Sequence, residues 1–294
     1  MISRGSRSLG KLAWGRSRAL AAGAAERLTE ILAMTPAVQA PAAPRALPSP
    51  PRATVAFEDV HFAYPMRPGQ KALRGASFSV EPGERVAIVG PSGSGKSTLG
   101  RLLAGIHAPT VGTAQVGGVA LTELPLEVLR TEVALVTQEH HVFRGSVRDN
   151  VVLARDGASD EAVVTALRTV DAWGWVAALP EGLDTRLGSG NQALTPAQAQ
   201  QIALARLILA DPHTLVLDEA TSLIDPRTAR HLEGSMNALL TGRTVVAIAH
   251  RLHTAHDADR IAVVTDGRVA ELGSHDELML ADGEYAALWR AWTS

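Results

Sequence analysis

Within the 294-residue sequence one stretch has the residue types and spacing to grip a polyanion: Gly90, Pro91, Ser92, Gly93, Ser94, Gly95, Lys96, Ser97 and Thr98. Its glycines let consecutive backbone N–H groups curl inwards, and a lysine and two hydroxyls follow directly. The aliphatic run Arg85–Val89 leads in and the helical pattern Ser97–Ala104 leads out. That strand, loop and helix order is the setting a phosphate loop requires. There the amides and the helix N-terminus face phosphate oxygens, Lys96 reaches the outer phosphates and Ser97 is placed to ligate magnesium. The Lys-Ser pair after the last glycine disfavours a dinucleotide-binding turn. Lysine is otherwise scarce: the chain has Lys11, Lys71 and Lys96 against 25 arginines.

A second acidic element has matching chemistry. Leu215-Val216-Leu217-Asp218-Glu219 reads as a buried strand ending in two carboxylates. A strand end beside the phosphate loop puts Asp218 where it helps to hold magnesium, and leaves Glu219 to orient or deprotonate a water for in-line attack at a γ-phosphate.

These residues need a scaffold. Thr54–Phe57 alternates like a strand, and Val133–Val136, Thr214–Leu217, Thr244–Ala249 and Ile261–Val264 are short aliphatic runs of buried-strand length. Helical patterns lie between several of them, which indicates an α/β sheet covered on both faces. From Asn150 to Asp211 the chain reads as consecutive helices, an inserted helical subdomain of about 140–211. Before the domain, residues 1–18 carry five cations and no acid, compatible with a transit peptide, a juxtamembrane flank or a plain basic start. Ala19–Met34 fits a short helix, and Pro36, Pro41, Pro44, Pro48, Pro50 and Pro51 make residues 35–53 an extended linker, with the domain boundary near Ala53.

Composition narrows the function classes. A formal charge of −2 argues against a protein covered by a nucleic-acid-binding surface. The absence of cysteine rules out disulfides, thiolate metal sites and a cysteine nucleophile. His140, His141, His253 and His256 lack a plausible set of partner ligands and read as structural or solvated. No stretch reaches the roughly 20 apolar residues of a membrane helix.

Between and beyond the two acidic and glycine-rich motifs, the chain resembles the ABC transporter ATPases from about residue 54 to 290. The resemblance implies a P-loop α/β fold with an antiparallel β subdomain beside the helical one. It also implies ATP and magnesium as ligands. Gln138 in Val136-Thr137-Gln138-Glu139 is similar to the glutamine that couples the magnesium site to the membrane domain. Ser222-Leu223-Ile224-Asp225 resembles the D-loop, His250 the histidine that contacts the γ-phosphate, and Tyr64 the aromatic ring stacked on adenine. Asp184-Thr185-Arg186-Leu187-Gly188-Ser189-Gly190 resembles the exporter X-loop, with Ser189 where a glutamate is usual. The helix and linker before the domain look like the cytosolic end of an exporter's last membrane helix.

One motif departs from the family. Its signature LSGGQ stands here as Leu194-Thr195-Pro196-Ala197-Gln198. Thr195 and Gln198 still suit a capping box and proline suits a first helical turn, so the helix is expected to form. Pro196 has no N–H to offer a phosphate, and Ala197 adds a Cβ where close approach is needed. The resemblance therefore implies an asymmetric heterodimer: this chain's Lys96, Asp218, Glu219 and His250 face an intact signature on a different subunit, beside the transmembrane domains of an exporter. It implies a place at the cytoplasmic face of the membrane and no nucleic-acid partner. A tolerated variant in a homodimer, a non-transport ABC ATPase, a regulatory nucleotide-binding subunit and a fragment of a longer transporter stay open as alternatives.

Overall fold

The computed structural model describes residues 23, 25–30, 32–33, 38–48, 54–137, 140–188, 190, 192–218, 240–249 and 255–293. The chain divides into two compact units, Met1–Gln39 and Ala40–Ser294. In the first, the described residues between 23 and 33 are helical, and the Thr29 hydroxyl donates to the Ala25 carbonyl at 2.8 Å. The second unit includes part of the proline-rich stretch: Arg45 N–H donates to the Glu123 carbonyl at 2.9 Å, and Leu47 packs on the core.

The second unit is built on two main sheets. Strands β1 (Val55–Ala63), β2 (Lys71–Val80), β4 (Val111–Val116) and β5 (Val119–Ala120) form an antiparallel sheet in the order β2-β1-β4-β5. Alternation along β1 sends Val55, Phe57, Val60 and Phe62 into the core, and the cross-strand partners Phe57 and Phe78 stack at 4.9 Å. Register shifts between Phe57 and Val60, where Asp59 has φ 46°, mark a bulge.

The second sheet has β3 (Arg85–Val89), β6 (Val133–Val136), β9 (Thr214–Asp218), β10 (Thr244–Ile248), β11 (Arg260–Thr265) and β12 (Arg268–Gly273) in the order β12-β11-β3-β10-β9-β6. All neighbours run parallel except the edge pair β11 and β12. Its central strands β3 and β10 are near-continuously buried, as strands covered on both faces must be. Arg260 bonds Glu84 and donates to the Ser79 carbonyl at 2.8 Å, tying the two sheets together.

Between the adjacent strands β6 and β9 the chain detours through a helical layer, with helices Val147–Val152, Asp160–Thr169, Trp173–Ala177 and Pro196–Ala210 around a core of residues such as Val151, Leu167 and Ile202. A two-stranded pairing, β7 (Gly145–Ser146) with β8 (Arg186–Leu187), interrupts this stretch, which the sequence pattern represents as helices alone. Helices His275–Ala281 and Glu284–Thr293 close the chain, the second held by the Glu271 carboxylate, which accepts from the Glu284 and Tyr285 amides at 2.6 and 3.0 Å. Among the described residues no helix is long and apolar enough to cross a membrane.

Candidate active site

The glycine-rich loop leaves the end of β3 and runs into the helix Lys96–Leu103. That helix has Gly95 as its N-cap, in a left-handed conformation, so no capping side chain takes its first amides. The helix then crosses onto the neighbouring strands at Gly100, where an added Cβ would lie 3.0 Å from Val216 Cγ1 and 3.1 Å from Ile248 Cδ1. Register completes the placement, because Ile88 pairs with Ile248 and Ile248 with Asp218. Val136, the last residue of β6, pairs with Leu217 beside them. One sheet edge thus carries the ends of β3, β6, β9 and β10.

At that edge the Ser97 hydroxyl donates to Asp218 Oδ1 at 3.2 Å. The Lys96 side chain is buried, and its ammonium donates to the carbonyls of Gly90 and Pro91, each at 2.8 Å. The Ser94 hydroxyl is buried in the same loop and, among the described residues, has no hydrogen-bond partner. A Cβ on Gly93 would meet nothing within 4 Å. A loop with uncapped amides, an orphaned hydroxyl, an ammonium folded over it and open space at its tip fits a phosphate group. The Ser97 and Asp218 oxygens are hard donors suited to magnesium, which takes few protein ligands and relies on phosphate and water for the rest.

Tyr64 follows β1 directly. Its hydroxyl lies 3.1 Å from Thr98 Oγ1, and its ring meets Phe62 and His107 edge-on at 5.0 and 5.5 Å. Gln138, Glu219, Asp225 and His250 lie outside the described residues, as does Ser189 of the segment expected to be the X-loop.

Residues 194–198, expected from the sequence to stand for the signature, lie within the described residues. Thr195 caps the helix Pro196–Ala210: its hydroxyl accepts from Gln198 N at 3.2 Å, and Gln198 Oε1 accepts from Thr195 N at 2.9 Å. The expected capping box is present, with Pro196 in the first turn and Leu194 packed on the helical core. Of the first three helical amides, Pro196 lacks one and Gln198 gives its own to Thr195, so that of Ala197 is the one remaining.

Two residues without a motif organise the helical layer. Asn150 is 1% exposed; its amide donates to the Phe143 and Ser146 carbonyls, both at 3.0 Å, and its oxygen accepts from Phe143 N at 2.9 Å. Arg206 donates to the Asn150 carbonyl (2.6 Å), the Asn150 side-chain oxygen (2.8 Å) and the His141 carbonyl (2.8 Å), with its guanidinium 5.4 Å from the Phe143 ring centre. The signal available in the sequence is that Arg206 is the lone charge in the otherwise uncharged helix Pro196–Ala210.

Comparison with known proteins supplies the family. The family model described as ABC transporter matches residues 73–222. The ATP-dependent lipid A-core flippase of Burkholderia thailandensis is 43% identical over 237 residues, covering 80% of this chain and 40% of that protein. The ABC multidrug transporter MDR2 of Trichophyton interdigitale is 40% identical over 237 residues, 80% of this chain and 18% of the relative. Among solved structures, a bacterial Atm1-family ABC exporter with ATP bound matches with a TM-score of 0.80 at 36% identity, over 92% of this chain and 46% of that one. The chain spans less than half the length of each of these proteins. Identity at this level across four fifths of the chain makes the relationship one of family: the chain belongs to the ABC transporters, of the exporter type, and carries their ATP-binding domain.

Proposed function

We propose that this chain binds ATP with magnesium on the Gly90–Thr98 loop and hydrolyses it to drive export of a substrate through transmembrane domains. The observation that carries the reading is the approach of Ser97 to Asp218 beside the folded-over Lys96. Lys96 donates to the outer phosphates, Ser97 and Asp218 hold the metal together with Gln138, and Glu219 orients or deprotonates the attacking water. His250 contacts the γ-phosphate, Tyr64 stacks on the base, and Gln138 passes the state of the site to the membrane domains. When bound, the ion neutralises charge on the phosphoryl oxygens. Replacing the carboxylate in Glu219→Gln is expected to preserve ATP binding and to cut turnover by orders of magnitude. Near-normal turnover would remove Glu219 from the mechanism.

The assembly we propose is an asymmetric heterodimer at the cytoplasmic face of a membrane. Its motivation is the signature helix, whose first turn retains so few amides for a partner's nucleotide. In this arrangement Lys96, Asp218, Glu219 and His250 work against an intact signature of another subunit, with Asp225 at the same interface. The second composite site, holding Pro196, binds ATP and hydrolyses it poorly. Restoring glycine at 196 and 197 and counting vanadate-trapped nucleotides per dimer tests this, and an unchanged stoichiometry would count against it. A regulatory subunit without useful catalysis is the second reading that the same helix favours, and single-turnover hydrolysis with the natural partner separates the two.

A further inference from the structure

The Tyr64 ring is held more tightly than a surface tyrosine needs to be. The chain leaves β1 at Ala63 and turns at once, with Arg67 N–H donating to the Tyr64 carbonyl at 2.8 Å. Thr98 and Arg101 stand three residues apart on the Lys96–Leu103 helix and so share a face. Both reach the phenol: Thr98 Oγ1 lies 3.1 Å from its oxygen, and Arg101 Nη1 donates to it at 3.3 Å. Phe62 and His107 meet the ring at interplanar angles of 84° and 90°. Two edge-on neighbours set the plane of the ring, while the hydroxyl tethers stop it from swinging about its bond to the backbone. The half-buried His107 is held below its ordinary value, first by burial and then by the charge of Arg101, so it is neutral at physiological pH and adds no second cation.

We propose that Arg101 is a positioning residue for the nucleobase: by tethering the Tyr64 hydroxyl it fixes the stacking ring to the helix that also holds the phosphates. The phosphate cradle and the base platform then form one rigid body, and ATP meets both without a separate ordering cost. This rests on Tyr64 being the base platform, as proposed above.

The test compares the unaltered chain with Tyr64→Ala, Tyr64→Phe, Arg101→Ala, Arg101→Lys and the Tyr64→Phe/Arg101→Ala double variant, measuring affinity for magnesium-ATP and for inorganic tripolyphosphate by calorimetry. Arg101→Ala is expected to weaken ATP by about five-fold, and Tyr64→Phe, which also loses Thr98, by at least as much, a part of what a full base-stacking contact is worth. The double variant is expected to be no weaker than Tyr64→Phe alone. Arg101→Lys restores most of the affinity, and tripolyphosphate binds all variants alike. Equal losses for ATP and tripolyphosphate, or additive losses in the double variant, would overturn the proposal. So would wild-type ATP affinity in Arg101→Ala while Tyr64→Ala binds weakly. Wild-type affinity in Tyr64→Ala instead overturns the reading of Tyr64 itself, and the proposal with it.

Discussion

The Ser97 hydroxyl donates to Asp218 across 3.2 Å, although 121 positions separate the two residues in the chain. Two features bring them together. Asp218 ends β9 in register with Ile248 of β10, which pairs in turn with Ile88 of β3. Neighbouring strands lie about 4.8 Å apart, so β9 is roughly 10 Å from β3, and the helix after the phosphate loop closes that gap by leaning over β10 and β9 at Gly100. Ser97→Ala and Asp218→Asn are therefore expected to weaken ATP binding when magnesium is present, while affinity measured with a chelator stays at the wild-type level. Equal losses in both conditions would mean that the pair supports the loop and not the ion.

Arg206 closes a polar knot that spans two parts of the helical layer. Its three bonds satisfy the carbonyls of Asn150 and His141 and the Asn150 side chain, and Asn150 in turn closes the turn from Phe143 to Ser146. Arg206→Met keeps the bulk and strands these acceptors, at an expected cost of about 2–4 kcal/mol in urea unfolding. Asn150→Ala should cost a similar amount, and the double variant less than the sum, because each change breaks the same network. Full additivity would show that the two residues act separately.

The sequence makes the centre of this fold more legible than its margins. β3, β9, β10 and β11 are read from their aliphatic runs because strands buried on both faces have no room for polar residues. β2 escapes that reading: Arg74, Gly75 and Ser79 interrupt the apolar residues of a half-exposed strand. β12 is similarly masked, with Arg268 and Glu271 on an edge. The pairing of Gly145–Ser146 with Arg186–Leu187 is two residues long, too short to carry a period. Phosphate-loop chemistry is local in sequence and so visible in it, whereas the tether from Arg101 to Tyr64 joins residues 37 positions apart and leaves no pattern.

The cap of the helix Pro196–Ala210 separates folding from the recognition role proposed for its first turn. Thr195 and Gln198 satisfy one another reciprocally, and Pro196 supplies a backbone angle suited to the first turn. Thr195→Ala is expected to lower stability by about 1 kcal/mol in urea unfolding. Its effect on ATP binding to this chain's own phosphate loop should be negligible. A change in that affinity would show that the helix start communicates with the chain's own nucleotide.

Acid should destabilise the domain in two stages. His107 is held below its ordinary value of 6.5, by burial first and by Arg101 second, so the folded chain prefers the neutral ring. As pH falls below 6.5 the unfolded chain takes up this proton first, and stability present above that value declines until the folded-state value is passed. His140, lowered by burial, acts in the same direction. Burial raises the Glu84 carboxyl, but its bonds to Arg260 and to the Glu81 amide and the charge of Arg260 outweigh this, so its value lies below the ordinary 4.5. Its stabilisation is complete above 4.5 and is lost as pH falls through the folded value. Unfolding measured from pH 8 to pH 3 should show both declines. His107→Gln should make the first shallower without touching the second, and Glu84→Gln should make the second shallower. Asp149 and Glu277, likewise lowered by their bonds to Ser146 and Ser274, also contribute to the second. A first decline of undiminished depth in a His107→Gln/His140→Gln double variant would place its origin in other groups.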